Sequence, residues 1–380
     1  MSVGRILLFL LVVVGIIGGV HFIVWARLVR DVEMPAPWGR VLTAAIVALG
    51  CLIPASFFLV RFASRGVAAP ILWVVYVWLG FLFFLFFTIV PSEIVRAVAR
   101  LAVTPPDPER RLFLSRAFAA AVGVTSLGAG VAALFGGLRK VGVRDVTVPL
   151  AKLPPALRGY TIVQLTDVHV GPTIGKAFID DLVARVNALS PDLVAITGDL
   201  VDGSVRDLAP CVAGLADLKA RDGVFFVTGN HEYYSGAEAW IAHLTALGIR
   251  VLRNERVPLR GDAGFDLAGV DDASASMDVG AALADRDPSR LLVLLAHQPK
   301  AIVEAALHRI DLQLSGHTHG GQLWPWNYLV KLDQPYVAGL HRHDGGAQIY
   351  VSRGTGYWGP PMRLGAPAEI TRIELVAAPA

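Results

Sequence analysis

Residues 160–169 read Tyr160-Thr161-Ile162-Val163-Gln164-Leu165-Thr166-Asp167-Val168-His169. A short apolar run ends abruptly in Asp-x-His, which is the pattern of a buried strand delivering metal-ligating side chains at its C-terminal end. The pattern returns four times. Gly198-Asp199 follows the strand expected at Leu193–Thr197, and Gly229-Asn230-His231-Glu232 follows Val224–Thr228. His297, in Ala296-His297-Gln298-Pro299, ends the run Leu291–Ala296, and Gly316-His317-Thr318-His319 follows Leu312–Ser315. A parallel sheet gathers strand C-terminal ends along one edge, so ligands distant in sequence converge in one crevice. The set holds enough Asp, His and Asn for two divalent ions, and two neighbouring ions are the apparatus of phosphoester hydrolysis.

Between the motifs the chain alternates. Ala177–Leu189, Leu208–Ala220, Ala237–Leu247 and Ala301–Leu307 have helical spacing, and Phe265–Val270, Gln348–Ser352 and Glu369–Leu375 read as further strands. Repeated strand–helix–strand units predict an α/β domain, a parallel or mixed sheet covered by helices.

The N-terminal third is of another kind. The chain is 54% hydrophobic and 17% charged, with a mean hydropathy of +0.55, too apolar for an ordinary soluble enzyme. Four apolar runs, about 6–25, 41–60, 71–90 and 112–135, predict transmembrane helices within residues 1–136. Residues 137–159, with Pro149, Pro154 and Pro155, read as a linker, and 160–380 as the catalytic domain. Arg27, Arg30 and Arg40 follow the first run, and Arg96, Arg100, Arg110, Arg111 and Arg116 follow the third, against Arg61 and Arg65 after the second. The positive-inside rule then predicts a multi-pass plasma-membrane protein whose catalytic domain is extracytoplasmic. Arg139, Lys140 and Arg144 after the fourth run point the other way. Glu109-Arg110-Arg111-Leu112-Phe113-Leu114 resembles a twin-arginine export signal, with ordinary juxtamembrane arginines as the competing reading. No small-residue cleavage site follows, so the expectation is an uncleaved anchor. The formal charge of +3 gives no reason to expect nucleic acid as a partner, and Cys51 and Cys211 are too few and too distant for a disulfide or a Cys-based metal motif.

The five motifs in this order, D-x-H, G-D, G-N-H-E, H and G-H-x-H, resemble the calcineurin-like metallophosphoesterases from Tyr160 to about Leu375, and the N-terminal spans resemble the membrane-anchored bacterial branch. The resemblance implies a four-layer β-sandwich flanked by helices. It implies that Asp167, His169 and His319 hold one ion, that Asn230, His297 and His317 hold a second, and that Asp199 bridges both. Carboxylate and imidazole donors suit Mn, Fe or Zn. Two-metal hydrolysis follows, with a hydroxide held between the ions attacking phosphorus in line. The resemblance gives His231 a catalytic role, stabilising the transition state or protonating the leaving group; orientation of Asp199 or Asn230 is the structural alternative.

Each motif alone has a plainer reading as a turn or a core histidine. Asp202 reads as a helix N-cap or a partner of a ligand. Asp271 and Asp272 read as loop structure or ligand support. Tyr233, Tyr234, Trp324, Trp326, Tyr357 and Trp358 flank the motifs, as a platform for a lipid tail or as core. His341 and His343 are expected in a solvated polar loop.

The leading functional expectation is a membrane-anchored phosphohydrolase cleaving phosphodiester or pyrophosphate bonds. Relatives in this branch suggest lipid-linked substrates such as UDP-2,3-diacylglucosamine, although a nucleotide-linked precursor is cytoplasmic and the domain is expected outside. The alternative is a non-enzymatic membrane sensor or scaffold on the same fold. A transporter carries little weight, because the spans lack the intramembrane charges that translocation paths use. No protein partner is predicted.

Overall fold

A computed structural model describes residues 3–62, 65–102 and 107–379. The chain divides into two compact units, Met1–Phe135 with Pro360–Met362, and Gly136–Gly359 with Arg363–Ala380.

The first unit is helical. Its elements are α1 (Val3–Trp25, continued as a π-turn over Ala26–Arg30), α2 (Ala36–Phe62), α3 (Arg65–Ala102) and α4 (Pro108–Leu138). Among the described residues, Leu11–Arg30, Ala36–Ser56, Gly66–Val98 and Pro108–Leu138 are long and apolar enough to cross a membrane. The helices run past the apolar stretches that predict them. At α4 the cause is local: Pro108 takes the first position and the Asp107 carboxylate accepts the Arg110 amide at 2.8 Å, so the helix starts four residues before its apolar run. Val24, Ile46, Leu82, Leu85, Ile89 and Val122 pack together. Several polar groups inside the spans pair with one another, which a hydrocarbon surround favours: the Trp78 indole donates to His21 Nε2 at 2.9 Å, and the Thr88 and Ser126 hydroxyls meet at 2.8 Å. Arg27 and Glu93 form an ion pair. Cys51 is exposed and Cys211 buried, and no disulfide joins them.

Among the described residues the second unit holds twelve strands: β1 (Gly142–Leu150), β2 (Tyr160–Leu165), β3 (Leu193–Thr197), β4 (Val224–Val227), β5 (Arg250–Val251), β6 (Glu255–Leu259), β7 (Phe265–Gly269), β8 (Leu292–Leu295), β9 (Leu312–Ser315), β10 (Gly339–Arg342), β11 (Gln348–Val351) and β12 (Glu369–Ala377). The first sheet has the order β1-β12-β2-β3-β4-β5 and the second β10-β11-β9-β8-β7-β6. β2, β3 and β4 are parallel to one another, as are β7, β8 and β9. Their central strands are apolar on both faces, as sheets covered on both sides require. Ile162, Leu193 and Phe225 meet Leu267, Val293 and Leu314 between the sheets. On the outer face of the first sheet Val163, Val194 and Phe226 pack under the helices α5 (Lys176–Ala188), α6 (Val205–Val212), α7 (Asn230–Ser235) and α8 (Ala237–Ala246), through side chains such as Ile179, Leu208 and Trp240. On the far face of the second sheet Leu292 and Leu294 pack against short helical turns carrying Val279, Ile302 and Ala305. The layers are therefore helix, sheet, sheet and helix, the expected four-layer arrangement. In α5, Ile179, Leu182, Val183 and Val186 fall on one face at helical spacing, and all four are buried.

Two expectations are corrected here. Residues 142–150, within the expected linker, form β1, paired in parallel with β12. Val146, Val148 and Leu150 alternate toward the core, and Pro149 is tolerated because β1 is an edge strand with one unpaired side. His341 lies in β10, paired with β11, and not in a loop. Its Nε2 lies 2.9 Å from the Ala338 carbonyl, and His343 Nδ1 lies 3.1 Å from the Tyr336 hydroxyl.

Candidate metal centre

Every expected site residue lies just past the C-terminal end of a central strand: Asp167 and His169 after β2, Asp199 after β3, Asn230 and His231 after β4, His297 after β8, and His317 and His319 after β9. The crossing from strand to loop is sharp. Asp167, His169, Asp199, His317 and His319 all have positive φ, between 51° and 69°. For non-glycine residues this is an uphill conformation that persists only where the surroundings enforce it. Two glycines make room. Gly198 has φ +85°, and a Cβ there would come within 2.7 Å of His297 Nδ1. A Cβ at Gly316 would collide with the Asp167 carboxylate and the Thr166 hydroxyl.

Two groups of ligand atoms result. Asp167, His169 and His319 present theirs within 4.8 Å of one another, and so do Asp199, His297 and His317. Asp199 links the groups: its Oδ2 lies 3.0 Å from His297 Nε2 and 3.9 Å from His169 Nε2. In each group two ring nitrogens face each other, His169 Nε2 and His319 Nε2 at 3.0 Å, and His297 Nε2 and His317 Nδ1 at 3.2 Å. Facing nitrogens at that separation need a proton or a cation between them. The side-chain oxygen of Asn230 is buried with no hydrogen-bond partner among the described residues, which a buried amide oxygen tolerates only with an unseen partner. Orphaned oxygen, facing imidazoles and carboxylates together fit divalent cations.

The electrostatics agree. Burial opposes charge on His169, but Asp202, Asp199 and Asp167 raise it to about 9. Burial opposes charge on His297 too, and the Asp199 carboxylate takes it well above the ordinary 6.5. Burial and the charge on His297 lower His317 to about 4, and burial with the His169 charge takes His319 well below its ordinary value. Each facing pair thus joins one protonated ring to one neutral ring, and a proton holds the place a cation takes. Against its own burial, Asp199 is lowered by His297 beside it.

Around these atoms lies a supporting shell. Asp202 is no helix cap; Ser204 occupies the N-cap position of α6. The Asp202 carboxylate accepts from His169 Nδ1 at 3.1 Å and from His231 Nδ1 at 2.6 Å. Burial works against the Asp202 charge, but His169 and then His231 hold it down, to about 2. One carboxylate therefore fixes both rings with Nε2 turned away from it, a ring-orienting role common beside metals. His169, Asp202 and His231 also cluster at ligand-like distances, but these hydrogen bonds already account for that cluster. The His231 amide donates to Asp199 Oδ1 at 2.9 Å.

Two residues given no role from sequence belong to this shell. Glu232 is fully buried and accepts three main-chain amides, from Gly229 at 2.7 Å, Leu200 at 2.8 Å and Asp199 at 2.9 Å. It stitches the end of β3 to the start of α7. Burial and the Asp199 charge push it up to about 7. Its signal was legible: a Glu three residues after the N-cap is the capping-box position. Arg363 is buried and donates to the carbonyls of Gly356, Ala366 and His319, with Nη2 3.3 Å from His319 Nδ1. Nothing in the sequence pattern marks it. Asp271 and Asp272, also buried, are structural: Asp271 pairs with Arg253 at 3.0 Å, and Asp272 accepts from the Gln298 amide and from Ser274. Among the aromatics, Tyr357 is buried, whereas Tyr234, Trp324, Trp326 and Trp358 are exposed. The rings of Tyr234 and Trp358 lie 5.3 and 5.7 Å from that of His231.

Known proteins resemble this chain. A family model described as calcineurin-like phosphoesterase matches residues 160–321. The chain is 42% identical over 296 residues to a transmembrane protein with metallophosphoesterase domain from Bos taurus, covering 73% of this chain and 66% of that one. It is 43% identical over 247 residues to a metallophosphoesterase of Helicobacter pylori, covering 63% of this chain and 65% of that protein. The chain thus spans just under two thirds of the length of these two relatives. Over 299 residues it is 36% identical to a metallophosphoesterase of Campylobacter jejuni, covering 77% of this chain and 78% of the relative. That likeness runs over most of both chains, and the family model spans the strand ends on which the carboxylates and imidazoles converge, so the chain belongs to the calcineurin-like phosphoesterases.

Proposed function

We propose that the chain is a membrane-anchored phosphohydrolase with a binuclear metal centre, acting on phosphodiester or pyrophosphate bonds. In this reading Asp167, His169 and His319 hold one ion, Asn230, His297 and His317 hold the other, and Asp199 bridges them. The observation that supports it most is the Asp199 carboxylate standing between ring nitrogens of two ligand groups, since a carboxylate has oxygens enough to serve two cations. Two divalent ions, when bound, lower the pKa of a water and neutralise charge developing on the phosphoryl oxygens. Mn, Fe and Zn all suit the donors.

The remaining chemistry belongs to the chain. His231, with Nδ1 held by Asp202 at 2.6 Å, keeps Nε2 for the substrate. As an imidazolium it donates a proton to the leaving-group oxygen, and Asp202 stabilises that charge. Glu232 keeps the Asp199 and Gly229 main chain in place through the exchange. No serine or cysteine nucleophile is required. We place the catalytic domain outside the cytoplasm on the arginine distribution, with phosphoesters of the cell envelope as substrates and UDP-2,3-diacylglucosamine as the test of the opposite sidedness.

The test is hydrolysis of an aryl phosphodiester by the detergent-purified full chain, with and without Mn²⁺. Turnover that requires the ion is expected, and bound metal without turnover of any diester or pyrophosphate would sink the proposal. A reporter fused at the C-terminus decides the sidedness, since activity of a cytoplasm-only reporter contradicts the outward placement.

A further inference from the structure

The segment that leaves the last metal-binding motif turns its apolar side chains outward. In Leu323–Leu332, Trp324, Tyr328, Leu329 and Leu332 are 56%, 57%, 42% and 83% exposed. The segment is not a loose loop. Leu323 and Gln334 at its two ends are buried, the Trp324 amide donates to the Leu364 carbonyl at 2.9 Å, and Gln334 Oε1 accepts the Lys300 amide at 3.1 Å. The Gln322 side chain binds the main chain of Trp358 in both directions, at 2.9 and 3.0 Å. That joins Trp358, 56% exposed, to the same platform, and its ring lies 5.7 Å from His231. An outward apolar platform on a fixed frame marks an interaction surface.

Two observations select its occupant. The residues are tryptophan, tyrosine and leucine, with the Lys331 ammonium 5.7 Å from the centre of the Tyr328 ring. Amphipathic rings beside a long cationic side chain are the mixture found at the headgroup level of a bilayer. Among the described residues the same chain also carries four helices long and apolar enough to cross a membrane. The fourth ends at Leu138 and β1 begins at Gly142, and the three residues between them reach about 10 Å at most. A bilayer is therefore the surface this domain cannot leave.

We infer that the Leu323–Leu332 platform, with Trp358, docks into the headgroup boundary of the membrane that anchors the chain, and presents the metal centre to phosphoesters of lipids lying in that membrane. The docking stands on the surface alone, whereas the substrate class rests on the proposed phosphoesterase function.

The experiment uses the full chain in nanodiscs of phosphatidylglycerol and phosphatidylcholine. An environment-sensitive fluorophore is placed at Tyr328→Cys, with Cys51→Ser and Cys211→Ser to remove the two native thiols. Docking gives blue-shifted emission that lipid-borne bromine quenches and aqueous iodide does not, and the triple change Trp324→Ser, Leu329→Ser, Leu332→Ser abolishes this. Emission open to iodide in the parent chain overturns the docking. So does a shift that needs two copies per disc, because the occupant is then a second copy. In the parent sequence without the label, the triple change leaves turnover of a soluble aryl phosphodiester within twofold and lowers turnover of a phospholipid phosphodiester in the disc at least tenfold. Equal losses on both overturn the presentation role. If the parent chain cleaves neither substrate, the phosphoesterase reading has failed, and the fluorophore still decides the docking.

Discussion

The two sheets reach the candidate metal centre with different chemistry. The first supplies every carboxylate there, Asp167 after β2 and Asp199 with Asp202 after β3, and braces them through Glu232. The second supplies imidazole only, His297 after β8 and His317 with His319 after β9. Its own strand-end carboxylates, Asp271 and Asp272 after β7, are just as buried but are consumed by Arg253, Gln298 and Ser274. Burial and position at a strand end therefore do not make an aspartate a ligand. What separates Asp199 from Asp272 is its company: Asp199 faces the ring nitrogens of His297 and His169, whereas Asp272 faces the amide of Gln298 and the amide and hydroxyl of Ser274.

The widest break in that comparison is Asp199→Ala. It should bring metal content below two ions per chain by elemental analysis and lower turnover by more than about a hundredfold, beyond the range for outer partners; two ions retained at full activity would remove Asp199 from the centre. Asp202→Ala comes next. It frees two imidazoles without removing a proposed ligand, and a loss of about 10–100-fold is expected, with an altered alkaline limb in the pH–rate profile as the mark of a disturbed proton donor. Unaltered pH dependence would leave Asp202 with a purely structural part.

Proton competition sharpens the contrast between charged and neutral rings. His169 is raised above its ordinary 6.5 to about 9, so in the metal-free chain its ionic contacts stabilise the fold below pH 6.5 and that contribution fades as pH rises through 9. A cation must displace this proton and the one on His297, so metal affinity should climb with pH between 6.5 and 9, by about tenfold per unit for each proton released. Calorimetry in buffers of different ionisation enthalpy counts the protons, and a pH-independent affinity between 6 and 9 contradicts the assignment. The smallest effect on activity belongs to Asp272→Ala. Turnover should hold within about twofold while stability falls by about 1–3 kcal/mol, because Gln298 and Ser274 lose a buried acceptor. A large loss of activity at unchanged stability would make the two aspartates equivalent after all.

Much of this was legible in the sequence. β3, with Leu193–Thr197, and β9, with Leu312–Ser315, fall where their apolar runs lie, because strands buried on both faces must be apolar throughout. The motif residues were legible because each follows such a run. The edges were not. β1 is half exposed and carries a proline, and β10 pairs on one side only and holds polar residues, so neither shows the pattern of a core strand. The helix expected at Leu208–Ala220 stops at Val212 and tightens into a 3-10 turn over Ala213–Asp217, where Gly214 weakens the helix and the Leu218 backbone turns extended. The supporting shell was partly hidden for another reason. Arg363 acts through main-chain carbonyls, and those carry no signature in side-chain spacing.

The five positive-φ residues at the strand ends bear on anyone who would transplant this centre into another scaffold. Copying Asp167, His169, Asp199, His317 and His319 onto ordinary strand termini would aim their Cα–Cβ bonds in other directions. Each left-handed residue costs on the order of 1–2 kcal/mol, so a host of typical marginal stability could not hold five without the surrounding braces. The portable unit is therefore the bent backbone with the glycines and Glu232 that keep it bent, and the proposed ligands are the last part to copy.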